Sequence, residues 1–125
     1  MEKHILFTED DPFLAEILQQ ALVKAGFKVT LAKDGEEALQ CVKDSKPDLI
    51  LLDLFLPRLD GFGVLAHLHS DPSTVKIPVI ILSNLMDPDN VERGKSFGVA
   101  AYLIKASTTP EEIISKIREV LGNST

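Results

Sequence analysis

Two hydrophobic rhythms alternate along this chain, five times over. Ile5-Leu6-Phe7 is a short apolar run and reads as a strand. From Pro12 onward, Leu14, Ile17, Leu18, Ala21, Leu22 and Ala25 follow the spacing of one helix face. Asp11 can cap that helix, and Pro12 fits its first turn because the missing N–H is not needed there. Gly26 ends it. Phe27 to Ala32 reads as a second strand. Asp34-Gly35 opens a second helix with Ala38, Leu39 and Val42 inward, and Pro47 closes the connection. Leu49-Ile50-Leu51-Leu52 is continuously apolar, as a strand covered on both faces must be. Pro57 through Gly61 is a loop, and Phe62 to about Ser70 is a third helix. After Pro78, Val79-Ile80-Ile81-Leu82 is another doubly buried strand. Asp87 to about Phe97 is a weaker fourth helix, ended by Gly98. Ala100 to Ile104 is a fifth strand. Thr109-Pro110-Glu111-Glu112 starts the last helix, with Ile113, Ile114, Ile117, Val120 and Leu121 inward.

Five strand–helix units in succession predict an α/β fold: a doubly wound parallel sheet with helices on both faces. No linker, low-complexity segment or second domain interrupts the pattern, so one domain over residues 1–125 is expected. The polar tail Gly122-Asn123-Ser124-Thr125 is expected to fray.

Composition narrows the function. The 125 residues are 45% hydrophobic, enough for a core and too many for a disordered chain. The net charge of -6 argues against direct binding to nucleic acid or to an anionic membrane, which calls for a basic patch. Cys41 is the only cysteine, so no internal disulfide can form and a reducing compartment is expected. The N-terminal apolar run meets Glu9, Asp10 and Asp11 at once, unlike a signal peptide. No apolar stretch approaches the roughly 20 residues of a membrane span. A soluble, cytoplasmic protein is expected.

In a sheet of this kind, functional groups gather beyond the carboxyl ends of the strands, where strand order reverses. Residues leaving the strands are Glu9, Asp10 and Asp11 after the first, Asp53 after the third, Ser83 and Asn84 after the fourth, and Lys105 after the fifth. Lys33-Asp34-Gly35, after the second, reads as turn and cap chemistry. Asp11 reads as a cap, but Asp53 does not, because its helix starts only after Gly61. Glu9, Asp10 and Asp53 would converge, and two like charges ~4 Å apart repel by roughly 4 kcal/mol at an effective dielectric of 20. Without a counter-ion such a cluster raises a carboxylate pKa or binds a cation, and hard oxygen ligands with waters suit Mg²⁺. Metal, hydroxyl and ammonium could together neutralise three phosphoryl oxygens during transfer to a carboxylate nucleophile.

Four motifs carry a resemblance. They are Thr8-Glu9-Asp10-Asp11-Pro12, the run from Pro47-Asp48-Leu49 through Asp53-Leu54-Phe55-Leu56-Pro57 to Asp60-Gly61, then Ile77-Pro78-Val79-Ile80-Ile81-Leu82-Ser83, and Ala101-Tyr102-Leu103-Ile104-Lys105. Over nearly its whole length the chain resembles the response-regulator receiver domains of two-component signalling, in single-domain form. The resemblance implies a flavodoxin-like five-stranded sheet of order 2-1-3-4-5. It implies that Asp53 is phosphorylated by a histidine kinase or a histidine phosphotransfer protein. Asp10, Asp53 and the backbone carbonyl of Phe55 would bind Mg²⁺ directly, and Glu9 through a water. Ser83 would bond a phosphoryl oxygen, and Lys105 would pair with the phosphoryl group. Ser83 and Tyr102 match the switch positions; Tyr102 reads equally as a half-buried aromatic on an edge strand. Phosphorylation would favour one of two pre-existing states, altering a protein-binding face made of helix 4, strand 5 and helix 5. Such a domain catalyses only its own aspartyl phosphorylation and dephosphorylation. A monomer or weak dimer is expected.

Three positions depart from the family pattern. Ala106 follows Lys105 where a cis-bonded proline is usual; a non-proline cis bond costs ~3–4 kcal/mol, so a trans bond is expected. Asn84 follows Ser83 where Ala or Gly is usual, and its amide could narrow access to the phosphoryl group or bond to it. Phe55 and Leu85 flank the site and offer no side chain to orient a water, which predicts slow self-dephosphorylation.

Other readings compete. A degenerate receiver could bind partners without phosphorylation. A phosphatase with an aspartyl nucleophile would want a second Asp at the position of Phe55. A flavin-binding protein would want a phosphate-cradling loop where Glu9-Asp10-Asp11 would repel phosphate. His67 and His69 lie two apart on a helix and point away from each other, so they are poor metal ligands. His4, opening the first strand, is expected to be partly exposed. Cys41 reads as a small hydrophobe beside the second helix's inward stripe.

Overall fold

The computed structural model of the chain describes residues 2–122. Five strands and five α-helices alternate: β1 (His4–Thr8), α1 (Pro12–Lys24), β2 (Lys28–Ala32), α2 (Gly35–Ser45), β3 (Leu49–Leu52), α3 (Gly61–Ser70), β4 (Val79–Ser83), α4 (Pro88–Lys95), β5 (Ala101–Ile104) and α5 (Pro110–Val120). A short 3₁₀ helix, Lys105–Ser107, joins β5 to α5. All strand pairs are parallel, in the order β2-β1-β3-β4-β5. The expected doubly wound architecture is therefore present.

Period-two alternation divides the core. Leu49 and Leu51 of β3 face one layer, where Leu18 and Leu22 of α1 meet Ile113 and Ile117 of α5. Ile50 and Leu52 face the other, where Val42 of α2 meets Val64 and Leu68 of α3. Each α-helix starts at a side-chain cap: Asp11, Asp34, Asp60, Asp87 and Thr109. Asp11 is the cap the sequence suggested; its Oδ1 accepts from the Phe13 N–H at 2.9 Å. Asp34 does the same for Glu37, confirming turn and cap chemistry after β2.

Three expectations need correction. The inward face of α1 is Ala15, Leu18 and Leu22, whereas Leu14 and Ile17 are exposed. The apolar spacing was wider than the buried stripe, so it could not say which flank met the sheet. His4 is buried, because β1 is an interior strand with β2 and β3 on either side. Its Nε2 lies 2.7 Å from the Thr30 hydroxyl, and its backbone N–H donates to Asp48 at 2.7 Å. Burial, with the nearby Lys28 charge, holds its imidazole below the usual histidine pKa, against the opposing pull of Asp48. Finally, α4 stops at Lys95 and Phe97 lies in the turn that follows. Among the described residues no peptide bond is cis, so Lys105–Ala106 is trans. Residues 123–125 of the expected fraying tail lie outside the described part. No helix among the described residues is long and apolar enough to cross a membrane.

Candidate functional site

The carboxyl ends of β1, β3, β4 and β5 converge on one open depression of ≈ 360 Å³. Its lining includes Glu9, Asp10, Asp53, Ser83, Asn84 and Lys105. Phe55, Leu14 and Leu85 supply apolar lining. Every residue singled out at a strand exit, apart from the second strand's turn residues, thus reaches one place; Asp11, the cap, sits at its margin.

Asp53 is held from several sides. Its backbone N–H donates to the Thr8 hydroxyl at 2.8 Å, and that hydroxyl donates to the Leu51 carbonyl at 3.3 Å. Its Oδ1 accepts from the Phe55 N–H at 3.0 Å, and its Oδ2 from the Lys105 ammonium at 2.5 Å. The same ammonium donates to Glu9 Oε1 at 2.7 Å, while Glu9 Oε2 accepts from the Asp11 N–H at 3.2 Å. Glu9 and Asp53 are 4% and 5% exposed, so this ion triad is largely out of water. Burial disfavours the Lys105 charge, but its bonds to Asp53 and Glu9 outweigh that, and its pKa lies above the ordinary lysine value. The counter-ion the acidic cluster requires is therefore present in the chain itself. Asp10 stays exposed and makes no side-chain hydrogen bond.

The hydroxyl and the aromatic are also accounted for. Ser83 is fully buried, and its Oγ accepts from the Leu85 N–H at 3.2 Å. Tyr102 is half-buried on edge strand β5, its ring against Gly94 of α4, its hydroxyl donating to the Leu85 carbonyl at 2.6 Å. Burial raises the phenol pKa; the Ser83 hydroxyl acts in the opposite direction. Phe55 is 77% exposed at the rim, so it edges the depression without sealing it.

Sequence reasoning missed Thr8 as an anchor for Asp53. A threonine ending a strand carries no signal of its own; only the register of β1 against β3 brings it there. It also missed that Asn84 Oδ1 accepts from the Ala106 N–H at 2.7 Å, which joins two of the unusual positions. His67 and His69 lie on α3 away from the depression, and His69 packs edge-on against Phe97. Cys41 is half-buried against the layer formed with α2 and α3.

No three His, Cys, Asp or Glu side chains among the described residues form a ready-made metal cage. Mg²⁺ does not need one, since it keeps several waters and takes one or two carboxylates. Asp10 and Asp53 both line the depression, and their carboxylates are the oxygen ligands such an ion takes.

Comparison with known proteins identifies the family. Residues 5–118 match the response regulator receiver domain family. The chain is 43% identical over 114 residues to a gliding motility regulatory protein of Myxococcus xanthus, covering 90% of this chain and 14% of that protein. It is 36% identical to the DNA-binding response regulator MtrA of Mycolicibacterium smegmatis, covering 94% of this chain and 50% of that one. The chain thus spans half or less of these curated relatives. Among solved structures, the phosphorylated cyanobacterial phytochrome response regulator RcpA superposes with a TM-score of 0.87 at 32% identity, covering 100% and 97% of the two chains. A putative response regulator from Chloroflexus aurantiacus gives 0.90 at 30% identity, covering 98% and 99%. Fold and sequence point the same way: the chain belongs to the response regulator receiver domain family of two-component systems.

Proposed function

We propose that Asp53 accepts a phosphoryl group from a phosphohistidine donor, on a histidine kinase or a histidine phosphotransfer protein, with Mg²⁺ as cofactor. One observation carries the reading: a buried carboxylate lining an open depression, bonded to an ammonium and sharing that lining with an exposed carboxylate that makes no side-chain hydrogen bond. In the transfer a carboxylate oxygen of Asp53 forms the new P–O bond. The P–N bond breaks, and the imidazole leaves with the electron pair. Lys105 stays beside Asp53 and neutralises the phosphoryl charge, and Glu9 would hold Mg²⁺ through a water. Asp10, Asp53 and the Phe55 carbonyl would hold Mg²⁺, which supplies further charge neutralisation at the phosphoryl oxygens. Ser83 turns its hydroxyl from the Leu85 N–H to a phosphoryl oxygen. Tyr102, now tied to the Leu85 carbonyl, follows that loop, and the α4–β5–α5 face changes for a downstream protein. The chain acts in the cytoplasm and catalyses only its own phosphorylation and dephosphorylation.

Intact mass after incubation with acetyl phosphate and Mg²⁺ tests this. The parent gains one phosphoryl group and Asp53→Asn gains none; no gain in the parent, or an equal gain in the variant, refutes the assignment. A second reading, a degenerate receiver that binds partners unphosphorylated, is favoured by Lys105 pairing with both Glu9 and Asp53 at once. It predicts no gain.

Acyl-phosphate lifetime is the next expectation. Phe55 is apolar at the rim and cannot orient a water. Phe55→Asn places an amide there, and several-fold faster decay of the phosphorylated protein is expected. A decay rate equal to or below that of the parent counts against it.

A further inference from the structure

Two segments that each carry part of the site are joined by a hydrogen bond at its edge. Asn84 follows Ser83, and Ala106 follows Lys105; Asn84 Oδ1 accepts from the Ala106 N–H at 2.7 Å. The donor has a physical origin. A helix start leaves its first N–H groups without intrahelical acceptors. The 3₁₀ helix Lys105–Ser107 has no side-chain cap at its own N-cap residue, Ile104. Asn84 supplies the acceptor from the neighbouring loop. Strand register permits it: Ser83 and Ile104 are paired at the ends of β4 and β5, so Asn84 starts opposite Lys105 and needs to reach one residue further. Because the partner is a backbone N–H, the amide must present its oxygen, which fixes its orientation.

We infer that Asn84 and Ala106 form a clasp that fixes the spacing of Ser83 and Lys105, making Asn84 a positioning residue for phosphoryl uptake at Asp53. The inference rests on the reading of Asp53 as the acceptor. Ser83 ends β4 and Lys105 opens the 3₁₀ helix after β5, and each is one residue from an end of the clasp. A lysine side chain has much rotamer freedom to lose when it is held on target. Its reach to Asp53 and Glu9 is set by where the backbone at Lys105 is anchored. Small misplacements of groups around a reacting centre cost rate more than binding. The β4–α4 loop is already tied to Tyr102 through Leu85, so the clasp links Lys105 to the same loop.

Asn84 and Ala106 are both exposed, so substitution of Asn84 leaves the core intact. Asn84→Leu keeps the volume and loses the acceptor; Asn84→Asp keeps an oxygen at the same reach. Two readouts are taken: hydrogen exchange of the Ala106 amide, and phosphoryl uptake from acetyl phosphate at varied donor and saturating Mg²⁺. In Asn84→Leu the Ala106 amide exchanges faster and maximal uptake slows about three- to tenfold, the worth of one hydrogen bond, at an unchanged half-saturating donor concentration. In Asn84→Asp the Ala106 amide stays protected. Unchanged exchange in Asn84→Leu, or lost protection in Asn84→Asp, overturns the clasp. Faster exchange with uptake like the parent overturns the positioning role. A parent that takes up no phosphoryl group overturns the acceptor reading itself and the positioning role with it, while exchange still reports on the clasp.

Discussion

Lys105→Met is expected to lower fold stability by about 3 kcal/mol, the lower end of what breaking a buried ion pair costs, and to depress phosphoryl uptake. The lower end applies because the Lys105 side chain keeps 19% exposure, so water screens part of its charge. Glu9 and Asp53 are nearly inaccessible and meet the same ammonium, at 2.7 and 2.5 Å. Methionine fills much of the volume but leaves two carboxylates facing each other with no cation between them. Urea unfolding, with the slope compared to exclude a changed denatured state, measures the loss. Adding Asp53→Asn to Lys105→Met removes one of the opposed charges and should recover part of the stability. A single variant as stable as the parent, or a double variant no better than the single, would show that the two acids do not depend on Lys105.

That dependence was half legible in the sequence. Residues at strand exits could be assigned to one sheet edge because five alternating units force a parallel sheet, and a parallel sheet puts its strand ends together. Glu9, Asp53, Ser83 and Lys105 followed from that alone. What could not be read was who pairs with whom. The acidic cluster called for a cation, and the chain already supplied one across 52 residues of sequence. Periodicity locates a side chain on an element; it does not give the reach of a lysine.

The same limit explains the other misses. Leu14 and Ile17 obey helix spacing, but α1 presents a narrower stripe, and Leu14 ends up beside the site depression. His4 reads as a strand-opening residue on the sequence, and only the strand order makes its strand interior. Asn84 and Ala106 were each visible as departures. Their joining needed coordinates, because the donor is a backbone N–H that every residue except proline carries.

Gly61→Ala is expected to destabilise the fold by about 2–3 kcal/mol, as overpacking against fixed atoms does, and to slow phosphoryl uptake at Asp53 in the molecules that remain folded. Gly61 opens α3 and lies against the segment leaving β3, its N–H donating to the Leu54 carbonyl at 3.0 Å. A Cβ there would sit 2.5 Å from both the Asp53 carbonyl oxygen and the Leu54 Cα. Both are backbone atoms, so the strain falls on the segment that presents the Asp53 carboxylate. Gly63, two residues on in the same helix, is the control. Its added Cβ would meet chiefly the Leu59 side chain, which can turn aside. Alanine also gains roughly 0.5–1 kcal/mol over glycine inside a helix, a gain that belongs to Gly63 more than to Gly61 at the first helical position. Gly63→Ala should therefore unfold near the parent's urea midpoint and take up phosphoryl at the parent rate, while Gly61→Ala does neither. Equal behaviour of the two variants would mean that the approach of α3 to the Asp53 backbone does not hold the acceptor in place.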